Sequence, residues 1–189
     1  MRYIIILLII FGITVYLLQT KQINIPGTPL PSPSPEKQVL GNQTKTTDCI
    51  PQNGLQDTAC SPGAIFPEAT KDQICTPGYS KSVRNVPVEE KNQVYAEYGI
   101  TSHKTGQYEV DHLISLELGG SNDISNLWPE AAEPRPGFHE KDQVENYLHN
   151  QVCSGKISLQ EAQQQIAKNW LDIYHQIPNP GKYDFNNNR

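Results

Sequence analysis

The stretch that decides the fold is residues 108–130, which read YEVDHLISLELGGSNDISNLWPE. It opens with five residues typical of a strand, and these end on the pair Asp111 and His112. A loop with two turn signals, glycine-glycine and asparagine-aspartate, leads to a second short extended piece. A helix is expected from about Phe138. The order strand, loop, strand, helix predicts a small α+β core.

This segment resembles the HNH endonuclease motif, the ββα-metal finger. The resemblance rests on Asp111-His112, Gly119-Gly120, Asn122-Asp123 and Asn126-Leu127. A wider pattern is similar to a bacterial HNH-like family of exported or membrane-attached proteins. It comprises Trp128-Pro129-Glu130, Lys141-Asp142, Glu145, Val152-Cys153-Ser154-Gly155, Ala162-Gln163, Ile74-Cys75-Thr76-Pro77-Gly78-Tyr79 and Val83-Arg84. The likeness covers roughly residues 60–174 and implies a nuclease built on the ββα-metal finger.

The resemblance implies a role for four residues. His112 is the general base, Asp111 is a metal ligand, and Asn126 braces the loop that aims the base. His139, at the start of the expected helix, is the second metal ligand. Phosphodiester hydrolysis needs a base to deprotonate water and a cation to offset charge on the phosphate and the departing 3′ oxygen. Adjacent strand residues point to opposite faces, which suits one ligand and one base.

The resemblance implies a divalent metal ion as cofactor. The ligand set, one carboxylate and one imidazole, does not identify the metal: magnesium or manganese is favoured, and zinc remains open. Glu117, Asp123 and Glu130 could supply a further ligand, but each is interpreted as a solvated loop acid.

Apolar spacing predicts three further elements. A short helix covers residues 88–98 and ends at a glycine. Residues 139–152 form a second helix, and a capping box at Ser158 starts a third over residues 159–176. We therefore expect an α+β fold with a ββα-metal finger core, a C-terminal helical hairpin and an irregular, disulfide-stapled N-terminal arm.

The chain has four cysteines, namely Cys49, Cys60, Cys75 and Cys153. An even number in an exported chain is typical of disulfides. Sequence leaves the pairing open between a local Cys60 to Cys75 loop and a Cys75 to Cys153 link from the arm to the last helices. A structural zinc site is disfavoured, because no close pair such as C-x-x-C is present.

Residues 3–18 carry no charge and lie between Arg2 and Lys21. They predict an uncleaved single-pass membrane anchor, with a cleaved secretion signal as the alternative. The flanking charges place the rest of the chain outside the cytoplasm. The expected organisation is an anchor or signal over 1–21, a Pro/Ser-rich linker over 22–59, an HNH-like nuclease domain over 60–178 and a polar tail over 179–189.

The 189-residue chain is acidic, with a net charge of -5, and residues 60–189 hold 17 acidic and 11 basic residues. This balance excludes a protein that coats nucleic acid, so any phosphate contact must be local or metal-assisted. The favoured function is a metal-dependent endonuclease acting on DNA or another nucleic acid, with the membrane as its other partner; no protein partner is inferred. The rivals are a non-catalytic envelope module on the same scaffold and a metal-dependent hydrolase of another envelope substrate.

Overall fold

The computed structural model describes residues 40–178. Within this part of the chain the elements are α1 (Lys71–Ile74), α2 (Tyr79–Val83), α3 (Val88–Glu97), β1 (Tyr108–His112), β2 (Leu127–Ala131), α4 (Phe138–Cys153) and α5 (Leu159–Tyr174). The predicted α+β class is confirmed. Among residues 40–178, no helix has the length and apolar character needed to cross a bilayer. The predicted anchor and the polar tail from 179 lie outside the described residues.

Strands β1 and β2 form an antiparallel hairpin, in which Asp111 lies opposite Trp128 and His112 lies opposite Leu127. The connecting loop contains two 3-10 turns, Leu116–Leu118 and Ile124–Asn126. At Gly120, an added Cβ would lie 1.7 Å from the Ile114 carbonyl oxygen. Only glycine allows this close approach, which explains one of the two glycines in the motif.

Helix α4 packs against β1 and against the loop, and α5 packs against α4. The helical hairpin buries one apolar stripe from each helix: Val144, Leu148 and Val152 from α4, and Ala162, Ile166 and Trp170 from α5. The α5 cap is the predicted one, since the Ser158 hydroxyl accepts a hydrogen bond from the Glu161 amide at 3.1 Å. The predicted spacing thus identified the buried face of each helix. Through α4, the hairpin packs against β1.

Two disulfides join the four cysteines, Cys49 with Cys60 and Cys75 with Cys153. The expectation of disulfides is confirmed, and of the two pairings left open, the Cys75 to Cys153 link is the one that forms. It connects the residue that ends α1 to the last residue of α4. The segment leading into α2 is therefore covalently tied to the helical hairpin.

Residues 40–59, which the sequence assigns to the linker, contact the domain. Cys49 is buried, and its amide donates to the Glu97 carbonyl at 3.0 Å. The Gln56 side-chain amide donates to the Ala167 carbonyl at 3.3 Å, and Leu40 and Leu55 pack against the hydrophobic core. These contacts join single residues of the segment to residues far away in the sequence, so they leave no apolar periodicity.

Removing the Cys75 to Cys153 bridge should destabilise the domain more than removing the Cys49 to Cys60 bridge. The bridges span 78 and 11 residues respectively. Chain-entropy arguments give ~2 to 5 kcal/mol for a native disulfide and ~2 kcal/mol more for the longer loop here. Urea unfolding of the two double Cys→Ala variants measures the difference. Equal losses would show that the long bridge does not restrict the unfolded chain as assumed.

Candidate functional site

The end of β1 lies beside an open cleft of about 390 Å³. Asp111 lines this cleft with its side chain 21% exposed, whereas the adjacent His112 is 3% exposed. The alternation of the strand separates the two side chains, as the sequence predicts.

The cleft is lined by charges of both signs. Lys81 and Arg84, both exposed, come from α2 and the residue that follows it. Five carboxylates also line the cleft, from Glu109, Asp111, Glu117, Asp142 and Glu145. An anionic ligand in the cleft would therefore meet two cations and an excess of negative charge.

A fully buried lysine, Lys141, joins two of the acidic residues of the cleft, Asp111 and Glu145. The Lys141 ammonium donates to Asp111 Oδ2 at 2.6 Å, to the His112 carbonyl at 2.8 Å, and to the Glu145 carboxylate. Three acceptors match its three N–H donors. Because Glu145 is four residues after Lys141 on α4, the helix brings both to the strand end.

The ionisation of this cluster follows from burial and from Lys141. Burial tends to raise the pKa of Asp111, but the Lys141 ammonium outweighs it and lowers that pKa below its ordinary value. Burial raises the pKa of Glu145 to about 7 despite the same ammonium. Asp111 is therefore ionised at neutral pH, and Glu145 is close to its midpoint.

Glu130 corrects one expectation. It lies on β2 rather than in a solvated loop and is 1% exposed. Neither carboxyl oxygen has a well-aligned hydrogen bond in the described part of the chain. Burial, reinforced by the negative charge of Asp111 against the opposing charge of Lys141, raises the pKa of Glu130 well above its ordinary value. Its burial therefore favours the neutral form of the carboxyl.

His112 is kept uncharged by its surroundings. Burial lowers the pKa of His112 to about 4, with help from the positive charges of Arg84 and Lys141 and only partial opposition from Asp111. Its Nε2 lies 3.1 Å from Asn122 Oδ1. At neutral pH the imidazole is thus able to accept a proton.

Asn126 is fully buried and bridges three segments. Its Oδ1 accepts from the amides of Ile114 and Ala64, and its Nδ2 donates to the carbonyls of Ile114 and Ser121. These four bonds hold the start and the end of the β1 to β2 loop together. The geometry is that of a brace for the residues that directly follow His112.

Asn126→Ala should lower the free energy of unfolding by at least ~1 to 3 kcal/mol, the cost of leaving one buried polar group unsatisfied. Urea unfolding measures the loss. The matched control is Asn150→Ala on the exposed side of α4, expected to stay within about 0.5 kcal/mol of the wild type. Equal stability of the two variants would contradict the bracing role.

His139 is the predicted site residue that the structure leaves on the surface. It is exposed at the start of α4, and its ring contacts the Phe138 ring at a centroid distance of 4.3 Å. Two residues along a helix correspond to about 200° of rotation. Because Lys141 points at Asp111, His139 points away from it. The structure thus brings Asp111, His112 and Asn126 to one strand end, and Lys141 rather than His139 reaches them from α4.

A second cluster has the residue types of a metal site. Ligand atoms of Cys75, His149 and Cys153 lie within 4.8 Å of one another, the one such group of three or more among residues 40–178. Both sulfurs are already joined in the disulfide. His149 Nε2 is 3.0 Å from the Ile74 carbonyl oxygen. In the oxidised protein this cluster is part of the hairpin packing.

Sequence reasoning gave no role to two residues of the site, Lys141 and Asn122. A signal existed for Lys141 in its spacing of four from Glu145. Asparagine is common in turns, so Asn122 was interpreted only as a turn residue, and nothing in the sequence indicated its contact with His112.

Comparison with known proteins adds no identification. No protein-family profile, no curated protein and no solved structure matches this chain.

Proposed function

We propose that this chain is an extracytoplasmic, membrane-tethered, metal-dependent endonuclease of the HNH type that hydrolyses phosphodiester bonds of nucleic acid. The observation that carries the proposal is a neutral, buried histidine that directly follows, on the same strand, an ionised carboxylate lining a charged cleft. The two disulfides support the extracytoplasmic location, because such bonds persist in oxidising compartments.

His112 is the proposed general base. A base must be unprotonated at the working pH and held in a fixed orientation. A pKa of about 4 meets the first requirement. Asn126 contributes to the second, since it braces the residues that directly follow the base.

The donor set of the cleft fits a hard divalent cation. Carboxylate oxygens are the ligands that magnesium and manganese prefer, and five carboxylates line this cleft. Asp111 would hold the ion through the oxygen that Lys141 does not contact. The ion would supply positive charge, which offsets the negative charge on the phosphate and on the departing 3′ oxygen. An acidic cleft without such an ion would repel a nucleic acid.

Two residues are candidates for the second metal ligand. The resemblance implies His139, but helix geometry favours Glu145, which contacts the same lysine as Asp111 and lines the same cleft.

Manganese titration of single variants separates these two ligand sets. We expect Asp111→Asn and Glu145→Gln to weaken manganese binding by at least the ~10- to 100-fold that losing even an outer-sphere partner costs. His139→Ala should keep the wild-type affinity. The matched control is Glu161→Gln, an exposed acid on α5. Loss of affinity in His139→Ala, with Glu145→Gln unchanged, would restore the ligand set implied by the resemblance.

One observation favours a different function, a non-catalytic envelope module on the same scaffold. The Lys141 ammonium already neutralises Asp111 from within the protein, so the strand end can be stable without a metal. This alternative predicts no manganese binding and no cleavage.

The test of the proposal is an assay on separate substrates, namely plasmid DNA, single-stranded RNA and the chromogenic diester bis(p-nitrophenyl) phosphate. Oxidised protein is incubated with magnesium, manganese or zinc, each with and without chelator. Metal-dependent cleavage of a nucleic acid supports the proposal. Turnover of the small diester alone would favour a hydrolase with another substrate, and no turnover of any substrate would favour the non-catalytic module.

A further inference from the structure

The amide of Asn122 is held by backbone groups of the segment that follows α2. Its Nδ2 donates to the Val83 carbonyl at 2.7 Å, and its Oδ1 accepts from the Asn85 amide at 3.1 Å. A backbone carbonyl only accepts and a backbone amide only donates, so these partners fix which end of the side chain is oxygen.

This orientation determines the proton on the neighbouring imidazole. The atom that faces His112 Nε2, at 3.1 Å, is Asn122 Oδ1. An amide oxygen cannot donate, so Nε2 must carry the hydrogen. A neutral imidazole has one N–H, and the lone pair is therefore on Nδ1.

We propose that Asn122 is a positioning residue for the reaction. It holds His112 as the Nε2–H tautomer, fixes the ring orientation, and so makes Nδ1 the nitrogen that takes the proton from water. The inference rests on the proposed function for its catalytic consequence, but the tautomer itself does not depend on activity.

The same contacts connect the base to the segment that carries Arg84, one of the two basic residues of the cleft. Val83 and Asn85, whose backbone groups hold Asn122, flank Arg84. A displacement of this segment would move Asn122 and, with it, the ring of His112. The orientation of the base is therefore linked to the position of Arg84, a cationic residue of the cleft.

The first test is ring nitrogen NMR of full-length, ¹⁵N-labelled wild-type protein at neutral pH. His112→Ala identifies the His112 signals among those of the five histidines. A protonated Nε2 with an unprotonated Nδ1 is expected. A protonated Nδ1, or a mixture of both tautomers, would overturn the proposal even if the protein cleaves nucleic acid.

The second test compares three variants in the cleavage assay. Asn122→Ala should lower kcat by ~100-fold, the scale of a misplaced catalytic group, with KM nearly unchanged. Asn122→Asp keeps the oxygen acceptor for Nε2 but loses the donor to the Val83 carbonyl, so it should recover only part of the kcat lost in Asn122→Ala. The matched control is Asn150→Ala, on the exposed side of α4, and it should behave as the wild type. Full kcat in Asn122→Ala, or equal losses in the Ala and Asp variants, would contradict the positioning role.

These two tests separate the inference from the proposed function. If the wild type cleaves none of the substrates, the proposed function fails. The NMR result still decides whether Asn122 fixes the tautomer of His112: a protonated Nε2 that becomes a mixture in Asn122→Ala supports it, and an unchanged ring in that variant contradicts it.

Discussion

His112→Ala should reduce the rate of phosphodiester cleavage by ~100- to 10,000-fold, the loss that follows removal of a general base. The reason is local, since no other described histidine lies next to Asp111 at the strand end. Added metal should not rescue the variant, because the missing group accepts a proton and is not a ligand. Initial rates on plasmid DNA at saturating manganese measure the effect.

The matched control is His103→Ala. His103 is exposed and contacts the rings of Tyr95 and Tyr108. It should cleave at the wild-type rate. Circular dichroism and manganese affinity of His112→Ala must stay close to wild type for the comparison to hold. Cleavage by folded His112→Ala at the wild-type rate would show that the HNH interpretation is wrong.

Among the single substitutions, Lys141→Met should produce the largest loss of stability, ~3 to 5 kcal/mol at neutral pH. Methionine keeps similar bulk but leaves the half-buried carboxylates of Asp111 and Glu145 without the cation that compensates them, and uncompensated charge of this kind carries the cost. Urea unfolding in the presence of chelator measures the change without a contribution from bound metal.

The loss in Lys141→Met should shrink as pH falls from about 8 to about 5. Without the lysine, the folded-state pKa values of both carboxyls lie above their unfolded values, so protonation favours the folded state at low pH. The control is Lys168→Met, an exposed lysine on α5, expected to change stability by less than about 0.5 kcal/mol. A pH-independent loss equal to that of the control would contradict the charge-pairing account.

The sequence predicted those parts of the fold that depend on local patterns. The spacing of apolar residues gave α4 and α5, and the turn residues gave the loop between β1 and β2. The N-cap at Ser158, which is one half of the predicted capping box, and the strand ending at His112 were also correct, because both follow from neighbouring residues. The α+β class follows from these elements.

The parts that sequence did not predict depend on contacts between distant residues. The pairing of Cys49 with Cys60, and the contact of residues 40–59 with the domain, depend on contacts that form only in the folded chain and carry no periodic signal. Glu130 was interpreted as solvated because its burial depends on β2 lying beside Lys141, a residue eleven positions later that was given no role. Charged side chains are rarely buried unless paired, so the default interpretation favoured the surface.

The candidate site was also predicted only in part. Asp111, His112 and Asn126 are close in sequence and lie together at the strand end. His139 comes after a proline-rich segment, and the face it occupies is set by where α4 begins, at Phe138. A shift of two residues exchanges the two faces of a helix. This is why Lys141 rather than His139 reaches Asp111.

The most direct measurement of the central claim is the nicking of supercoiled plasmid by purified, oxidised wild-type protein in manganese, with chelator added during the time course. The account predicts nicked plasmid that accumulates with time, stops when chelator is added and resumes with excess manganese. Plasmid that remains supercoiled at every manganese concentration, or nicking that continues unchanged in chelator, would contradict it.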